Sequence, residues 1–376
     1  MSLTSQLHHG VLGDWCAASL LGTAVLVDQV QAAVAGRSPV RPVGKVVGEH
    51  WARIGGAFGQ RFAFVVDHGP PWPAYAGAAN AGLLGGQMLH TVVTRWPGVP
   101  DLGAEPFDNE LGTADALIHS FTEQLVDYLS EHAPPGTIAS TQRAEEILAR
   151  ACWVLSGWED AYRGGVLPTA ITRAHQELSP APAQDDMEAT RAAVDVLLLH
   201  TPMHVTQELL TLVGRLHGSG TLDQLRALAG NPPPGAPLGV TQPVFVPHWA
   251  DGDVIVGSTL LDCKTVITVR DRDRIARWLY QLLGYTWLDN TADRYGIRSV
   301  GLYLARHGVL VTWPLDYFEQ TLLHTPGCVP AARREFLNYT YEAIELEGAE
   351  PFDEPGQRTH ITSAVSATGA PHDVSQ

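Results

Sequence analysis

The stretch from Ala250 to Thr265, ADGDVIVGSTLLDCKT, gathers residue types able to do chemistry at a spacing that matters. Gly257-Ser258 suits the two central positions of a tight hairpin turn. Such a turn fixes the pairing by counting. Val256 faces Thr259, Ile255 faces Leu260, Val254 faces Leu261, and Asp253 faces Asp262; two steps further out, Asp251 faces Lys264. Alternation puts Asp251, Asp253, Asp262 and Lys264 on one face. Opposed residues have Cβ atoms about 4.5–5.5 Å apart, where like charges repel. An otherwise apolar strand pair has no structural use for two opposed carboxylates. A divalent cation removes the conflict, and hard oxygen ligands suit magnesium or manganese. The plain alternative is a solvated hairpin carrying a surface ion pair.

The next element adds to the set. Arg272 to Asp289 has helical spacing, and Gln281 and Tyr285, four apart, share a face of it. Arg274, Arg277 and Trp278 lie on or near neighbouring faces. Between Lys264 and Arg306 eight basic residues stand against four acidic ones, so this segment is basic within a chain of net charge −16. Arg274, Arg277 and Arg306 are the candidates in it for contact with a phosphate backbone. The overall acidity argues against a protein that coats nucleic acid with its whole surface.

Together, Asp253…Asp262-Cys-Lys264…Gln281-Leu-Leu-Gly-Tyr285 resembles the PD-(D/E)xK nuclease superfamily, its RecB-like branch in particular. That branch carries an acid, then (D/E)xK on the next strand, then QxxxY on the following helix. The match covers residues 250–290, and a strand pair at 300–313 fits the rest of such a core. The resemblance implies that Asp253 and Asp262 hold a magnesium or manganese ion, with the Cys263 carbonyl as a further ligand. Lys264 would orient or deprotonate the attacking water, or steady the developing phosphate charge. Gln281 and Tyr285 would position Lys264 or the strand. The reaction implied is phosphodiester hydrolysis in DNA leaving a 5′-phosphate, in repair or in defence against foreign DNA.

Two departures bear on that expectation. RecB-like nucleases open with a GxxxH helix whose His joins the metal. The nearest stretch here is Ile54-Gly-Gly-Ala-Phe-Gly-Gln-Arg61, with Gln60 where the His falls. If that is the opening helix, residues 67–240 form a mostly helical insertion, and Glu159 or Glu208 is a substitute ligand. The clustered cysteines of iron–sulfur relatives are also absent, so no such cluster is expected.

The elements that must position these residues follow from pattern and composition. The chain has 376 residues, 45% hydrophobic and 17% charged, which fits a globular protein with one or two cores. The expected class is α/β (α+β): a restriction-endonuclease-like core, a small mixed sheet flanked by helices, with a large mostly helical N-terminal part. Residues 1–44 read as a helical lead-in, 45–240 as the mostly helical region, 241–325 as the core and 345–376 as a disordered tail. Within the helical region, 67–108 reads as loop-rich, with helices at 112–132, 141–164, 186–200 and 205–217, the second capped by Ser140. Ser179–Asp186 reads as a linker. Short β-type runs at Val244–Val246, Val254–Val256 and Leu260–Leu261 precede the Arg272–Asp289 helix. Strands at Val300–Leu304 and Val309–Trp313 flank a hairpin at Arg306-His-Gly308.

Four separated cysteines without a CxxC pair indicate reduced thiols and a cytoplasmic protein. The apolar run Trp15–Val27 is too short for a bilayer, lacks a positive start, and reads as a buried helix. His200 and His204 have the spacing of a zinc pair but enclose Pro202 and lack an HExxH glutamate. His8-His9 reads as a mobile terminal pair. No GxxxxGK[ST] occurs, so a motor, where one is used, is another chain, as is any effector. Two other functions compete with the nuclease: a catalytically weak nuclease-fold subunit that binds nucleic acid or protein, and a helical scaffold.

Overall fold

The structure, a computed structural model, describes residues 2–42, 44, 48–97, 99, 111–178, 187–289, 293–325 and 327–349. The proposed linker 179–186, positions 290–292 within the basic stretch 264–306, and the proposed tail from 350 onward lie outside the described residues, while positions 345 and 346 of that tail are helical. The helices are α1 (Leu3–His9), α2 (Val11–Ser19), α3 (Thr23–Val34), α4 (Gly48–Val66), α5 (Trp72–Asn80), α6 (Gly86–Thr94), α7 (Asp115–His132) and α8 (Gln142–Gly164). They continue as α9 (Thr169–Glu177), α10 (Met187–Leu199), α11 (Met203–Gly218), α12 (Thr221–Leu228), α13 (Arg272–Asp289), α14 (Leu315–Leu323) and α15 (Val329–Leu346). The strands are β1 (Gly239–Thr241), β2 (Val244–Val246), β3 (Ala250–Asp251), β4 (Val254–Val256), β5 (Thr259–Lys264), β6 (Ser299–Leu304) and β7 (Val309–Pro314). The class is mixed α/β, as the patterning predicts. The chain divides into two compact units, residues 1–41, 215–232 and 238–358 in one, residues 42–214 and 233–237 in the other.

The first unit contains the sheet, in the order β1-β4-β5-β6-β7. β5 and β6 run parallel and the other neighbours antiparallel. A parallel pair needs a long crossover, and α13 supplies it between β5 and β6. β5 lies centrally, and its first four residues, Thr259 to Asp262, are buried. Its apolar start, Leu260-Leu261, is what a strand covered on both faces requires. β2 and β3 form a separate two-stranded sheet. Leu279, Leu283 and Trp287 of α13 share one core with Leu3 and Leu7 of α1, Leu12 and Trp15 of α2, and Phe336 of α15. Trp287 meets Trp15 and Phe336 edge to face, with centroids 6.1 and 5.2 Å apart. Each such side chain contributes about 1.5–3 kcal/mol through burial.

The run Trp15–Val27 is not one helix. α2 and α3 meet at a 92° bend, and among the described residues no single helix is long and apolar enough to cross a membrane.

The second unit is helical. At its centre the guanidinium of Arg61 on α4 donates to Glu145 on α8 at 2.6 and 3.0 Å, both residues buried. α8 is capped one residue later than expected: the Thr141 side chain, not that of Ser140, accepts the Ala144 N–H at 3.1 Å. Helices α5 and α6 occupy part of the stretch read as loop-rich. Pro71 and Pro73 sit at the cap and first turn of α5, where a missing N–H costs nothing. Gly77 lets α5 press on the backbone of Trp158, where any Cβ would collide.

Candidate active site

The hairpin forms with the counted register: Val254 pairs with Leu261, Ile255 with Leu260 and Val256 with Thr259. Gly257 takes the left-handed conformation the turn needs, φ 57°. The ladder ends at Val254 and Leu261, and Asp253 and Asp262 are the residues that adjoin that last pair. Asp253 Oδ2 accepts the backbone N–H of Cys263 at 2.6 Å, which brings its carboxylate to the position next to Asp262. The N–H and C=O of a strand residue point to the same neighbour, so the Cys263 carbonyl faces this place too. The thiol does not serve it: burial, then Asp253 and Asp262, push its pKa well up, so it is an inert thiol rather than a nucleophile.

The counted pairing ends there. Asp251 does not face Lys264 across the ladder; it pairs with Val244 in the two-stranded sheet. The Gly252 N–H goes to the Pro243 carbonyl at 2.8 Å, outside the hairpin, which turns the chain out of the β4–β5 ladder.

Lys264 is held on three sides. Its ammonium lies 2.9 and 2.7 Å from the two Asp262 oxygens and donates to Gln281 Oε1 at 3.2 Å. The Asp262 side chain is 4% exposed and that of Lys264 19%, so the pair is nearly dry on the acid side and open on the base side. Gln281 Nε2 donates to the Tyr285 hydroxyl at 2.8 Å, and that hydroxyl donates to the Asp251 carbonyl at 2.7 Å. The i, i+4 pair on α13 shares a face, as its spacing predicts, and through Gln281 it braces the ammonium. Burial pushes the Tyr285 phenol up, the Gln281 hydrogen bond works against it, and Asp262, Asp253 and Asp251 push further up. The phenol therefore stays protonated and remains a donor.

Arg274 is exposed, its guanidinium 5.6 Å from the centre of the Trp278 ring, and the Lys264 ammonium lies 6.0 Å from the same ring. Arg277 is half-buried, its Nε buried and without a hydrogen-bond partner. Arg306 is different and does not belong with them. It is fully buried, and its Nε and Nη1 donate to the carbonyls of Thr265 and Val40 at 2.8 and 3.1 Å. Counting charges along the chain cannot see that this guanidinium is used to tie loops together.

The helical lead-in expected over residues 1–44 begins with α1, and what the sequence did not show is that α1 reaches the site. Ser2 caps it through the Ser5 N–H at 3.2 Å, and Leu3 and Leu7 bury its apolar side. Thr4 Oγ1 receives Gln281 Nε2 at 3.4 Å. His8, exposed, has its pKa lowered by burial first, then by Arg277, His9, Lys264 and Arg274. The Leu3/Leu7 spacing before Gly10 is the signal that marks this helix.

The expected opening-helix residues lie elsewhere. Gln60 on α4 donates to Glu159 at 2.8 Å, Glu159 also takes Arg163, and Glu208 is fully buried on α11, all three in the helical unit. His200 pairs with Glu177 at 3.1 Å while His204 meets His50 at 3.3 Å, so the two imidazoles go to different partners. Among the described residues no group of three or more His, Cys, Asp or Glu converges on one point. Magnesium binds through one or two carboxylates and keeps its remaining waters. Two carboxylates and a carbonyl of all-oxygen character fit such an ion.

No family model matches the chain, and neither the curated proteins nor the solved structures include a match to it.

Proposed function

We propose that this protein is a magnesium- or manganese-dependent nuclease that hydrolyses phosphodiester bonds in DNA through a PD-(D/E)xK-type centre. The reading rests on one observation: a buried Asp262 carboxylate paired with a partly open Lys264 ammonium that Gln281 braces, beside a second carboxylate that accepts the Cys263 N–H. Asp253 and Asp262, with the Cys263 carbonyl, would hold the ion, which when bound polarises a phosphoryl oxygen and acidifies a water. Lys264 orients the attacking water and sets a fixed positive charge where negative charge develops on phosphorus. Gln281 fixes the lysine rotamer, and Tyr285 fixes the amide of Gln281. Arg274 and Arg277 bind phosphates of the strand and set its register without reading its sequence. DNA rather than RNA, the 5′-phosphate product and a role in repair or defence come from the resemblance alone. A reducing, cytoplasmic compartment goes with this reading, because all four cysteines are free.

The test is cleavage of linear DNA with magnesium by the wild type, Asp262→Ala and Lys264→Ala. The reading expects both variants to lose at least about a hundredfold in rate. Equal cleavage by all three ends it. Calorimetry that finds no magnesium or manganese bound, with DNA binding intact, replaces it with the binding-subunit reading.

A further inference from the structure

Lys264 is not alone at the mouth of the site. Arg274 and Lys264 share the Trp278 ring; Gln281 Nε2 of α13 donates to Thr4 Oγ1 of α1 at 3.4 Å, and one helical turn from these two residues stand Arg277 and His8, whose imidazole Arg277, Lys264 and Arg274 all make harder to protonate. Lys264 is balanced by Asp262. Neither arginine is paired with an acid among the described residues, and no carboxylate is among the charges acting on His8. The nearby acids are engaged elsewhere. Asp271 accepts the Arg274 backbone N–H at 3.0 Å, capping α13, and Asp28 takes Arg272. Arg277 Nε is a buried donor without an acceptor. The result is two permanent positive charges and one imidazole on facing turns of α1 and α13, beside a proposed phosphate-cleaving centre and without an ion-paired acid among the described residues.

A bridging phosphodiester carries one negative charge, which a single guanidinium matches. A phosphomonoester carries about −1.5 to −2 near neutral pH and three acceptor oxygens. Two unpaired guanidiniums plus a ring N–H complement the monoester in both charge and donor number. We propose that His8, Arg274 and Arg277 form a subsite for the terminal phosphomonoester of a nucleic-acid strand, so that the preferred substrate is a strand end carrying phosphate. This rests on the nuclease reading for the identity of the strand, but not for the binding itself. A 5′- and a 3′-phosphate present the same group, and the experiment separates them.

The experiment measures fluorescence anisotropy of the full-length protein with labelled oligonucleotides, without divalent metal. Three ends are compared: 5′-phosphate, 3′-phosphate, and hydroxyl at both ends. One phosphorylated end is expected to bind roughly tenfold or more tighter than the hydroxyl end, as charge-assisted hydrogen bonds allow. Inorganic phosphate should compete against that end selectively. Arg274→Gln, Arg277→Gln and His8→Gln should each shrink the preference, whereas Arg298→Gln, which breaks the exposed pair with Asp293, should leave it. Equal affinity for all three ends overturns the inference, as does a preference unchanged in all three variants. Cleavage that depends on Lys264 but ignores the end group also overturns it while leaving the nuclease reading intact. A preference in binding without Lys264-dependent cleavage does the reverse.

Discussion

Replacing Lys264 by Met keeps the length of the side chain and removes its charge. The carboxylate of Asp262, 4% exposed, then loses an ammonium that lies within 2.9 Å of both its oxygens. Removing one member of a buried ion pair costs about 3–5 kcal/mol because the other charge is left dry. Here the lysine side is 19% exposed, and water entering by that route recovers part of the loss. The expected cost is therefore about 2–3 kcal/mol. With a denaturant slope of about 2–3 kcal/mol per molar urea, the midpoint of the sheet-bearing unit falls by about 1 M. Asp262→Asn in the same chain removes the stranded charge, so the double variant should regain most of the loss. The double-mutant cycle should give a coupling of about 2 kcal/mol. Cleavage should fall by about 10²- to 10⁴-fold in the single variant and stay low in the double one. Urea melts and a plasmid or linear-DNA assay on the four proteins measure both quantities. A coupling near zero with cleavage intact would show an ornamental surface pair, and the argument built on Lys264 would fail.

Asp253→Asn should separate stability from function. An amide oxygen can still accept the Cys263 N–H, now 2.6 Å from Oδ2, and one of two neighbouring negative charges disappears. Scanning fluorimetry should show stability unchanged or raised by up to about 1 kcal/mol, while the magnesium-induced stabilisation and the cleavage are lost. Arg306→Met should cost about 2–4 kcal/mol, through the freed carbonyls of Thr265 and Val40, without changing the DNA affinity of the folded protein. Arg274→Gln should do the opposite, lowering the slope of log affinity against log salt by about 0.9 at unchanged stability. His175, whose Nε2 accepts the Trp158 indole N–H at 3.1 Å, has its pKa lowered by burial to about 4. Its unfolded value of about 6.5 is higher, so the unfolded chain binds the proton first. Stability should fall as pH drops from about 6.5 to about 4, by about 2–3 kcal/mol in all. Urea melts of the wild type and His175→Gln at pH 7 and pH 4.5 should show this increment only in the wild type.

The hairpin and the crossover helix were legible in the sequence because local rules decide them. A two-residue turn leaves no freedom in the pairing of Val254–Val256 with Thr259–Leu261, and the span Arg272–Asp289 has the length and spacing of one buried helix. What the sequence did not give was decided by partners distant along the chain. Asp251 leaves the ladder because Pro243, eight residues earlier, takes the Gly252 N–H. Arg306 is buried because Thr265 and Val40 offer it carbonyls. α1 falls within the expected helical lead-in, but its contact with the site, Thr4 with Gln281, joins residues 277 apart, which no local pattern records. Gln60, at the position expected for the opening-helix His, has its partner Glu159 within the helical unit.

The tip of the hairpin is gripped from several directions. Gly257 donates to the Leu238 carbonyl at 2.9 Å, the Ser258 carbonyl takes the N–H groups of Arg298 and Ser299, and the Leu228 carbonyl at the end of α12 leaves no room for a Cβ at residue 257. A strand displaced by a single position exchanges its two faces, which would swap Asp262 and Lys264 for Leu261 and Cys263. This bend is consequently no site for a graft, a tag or a lengthened loop. Redesign of what the protein accepts has to begin at the outer ends of α1 and α13, where change does not disturb the alignment of the two strands.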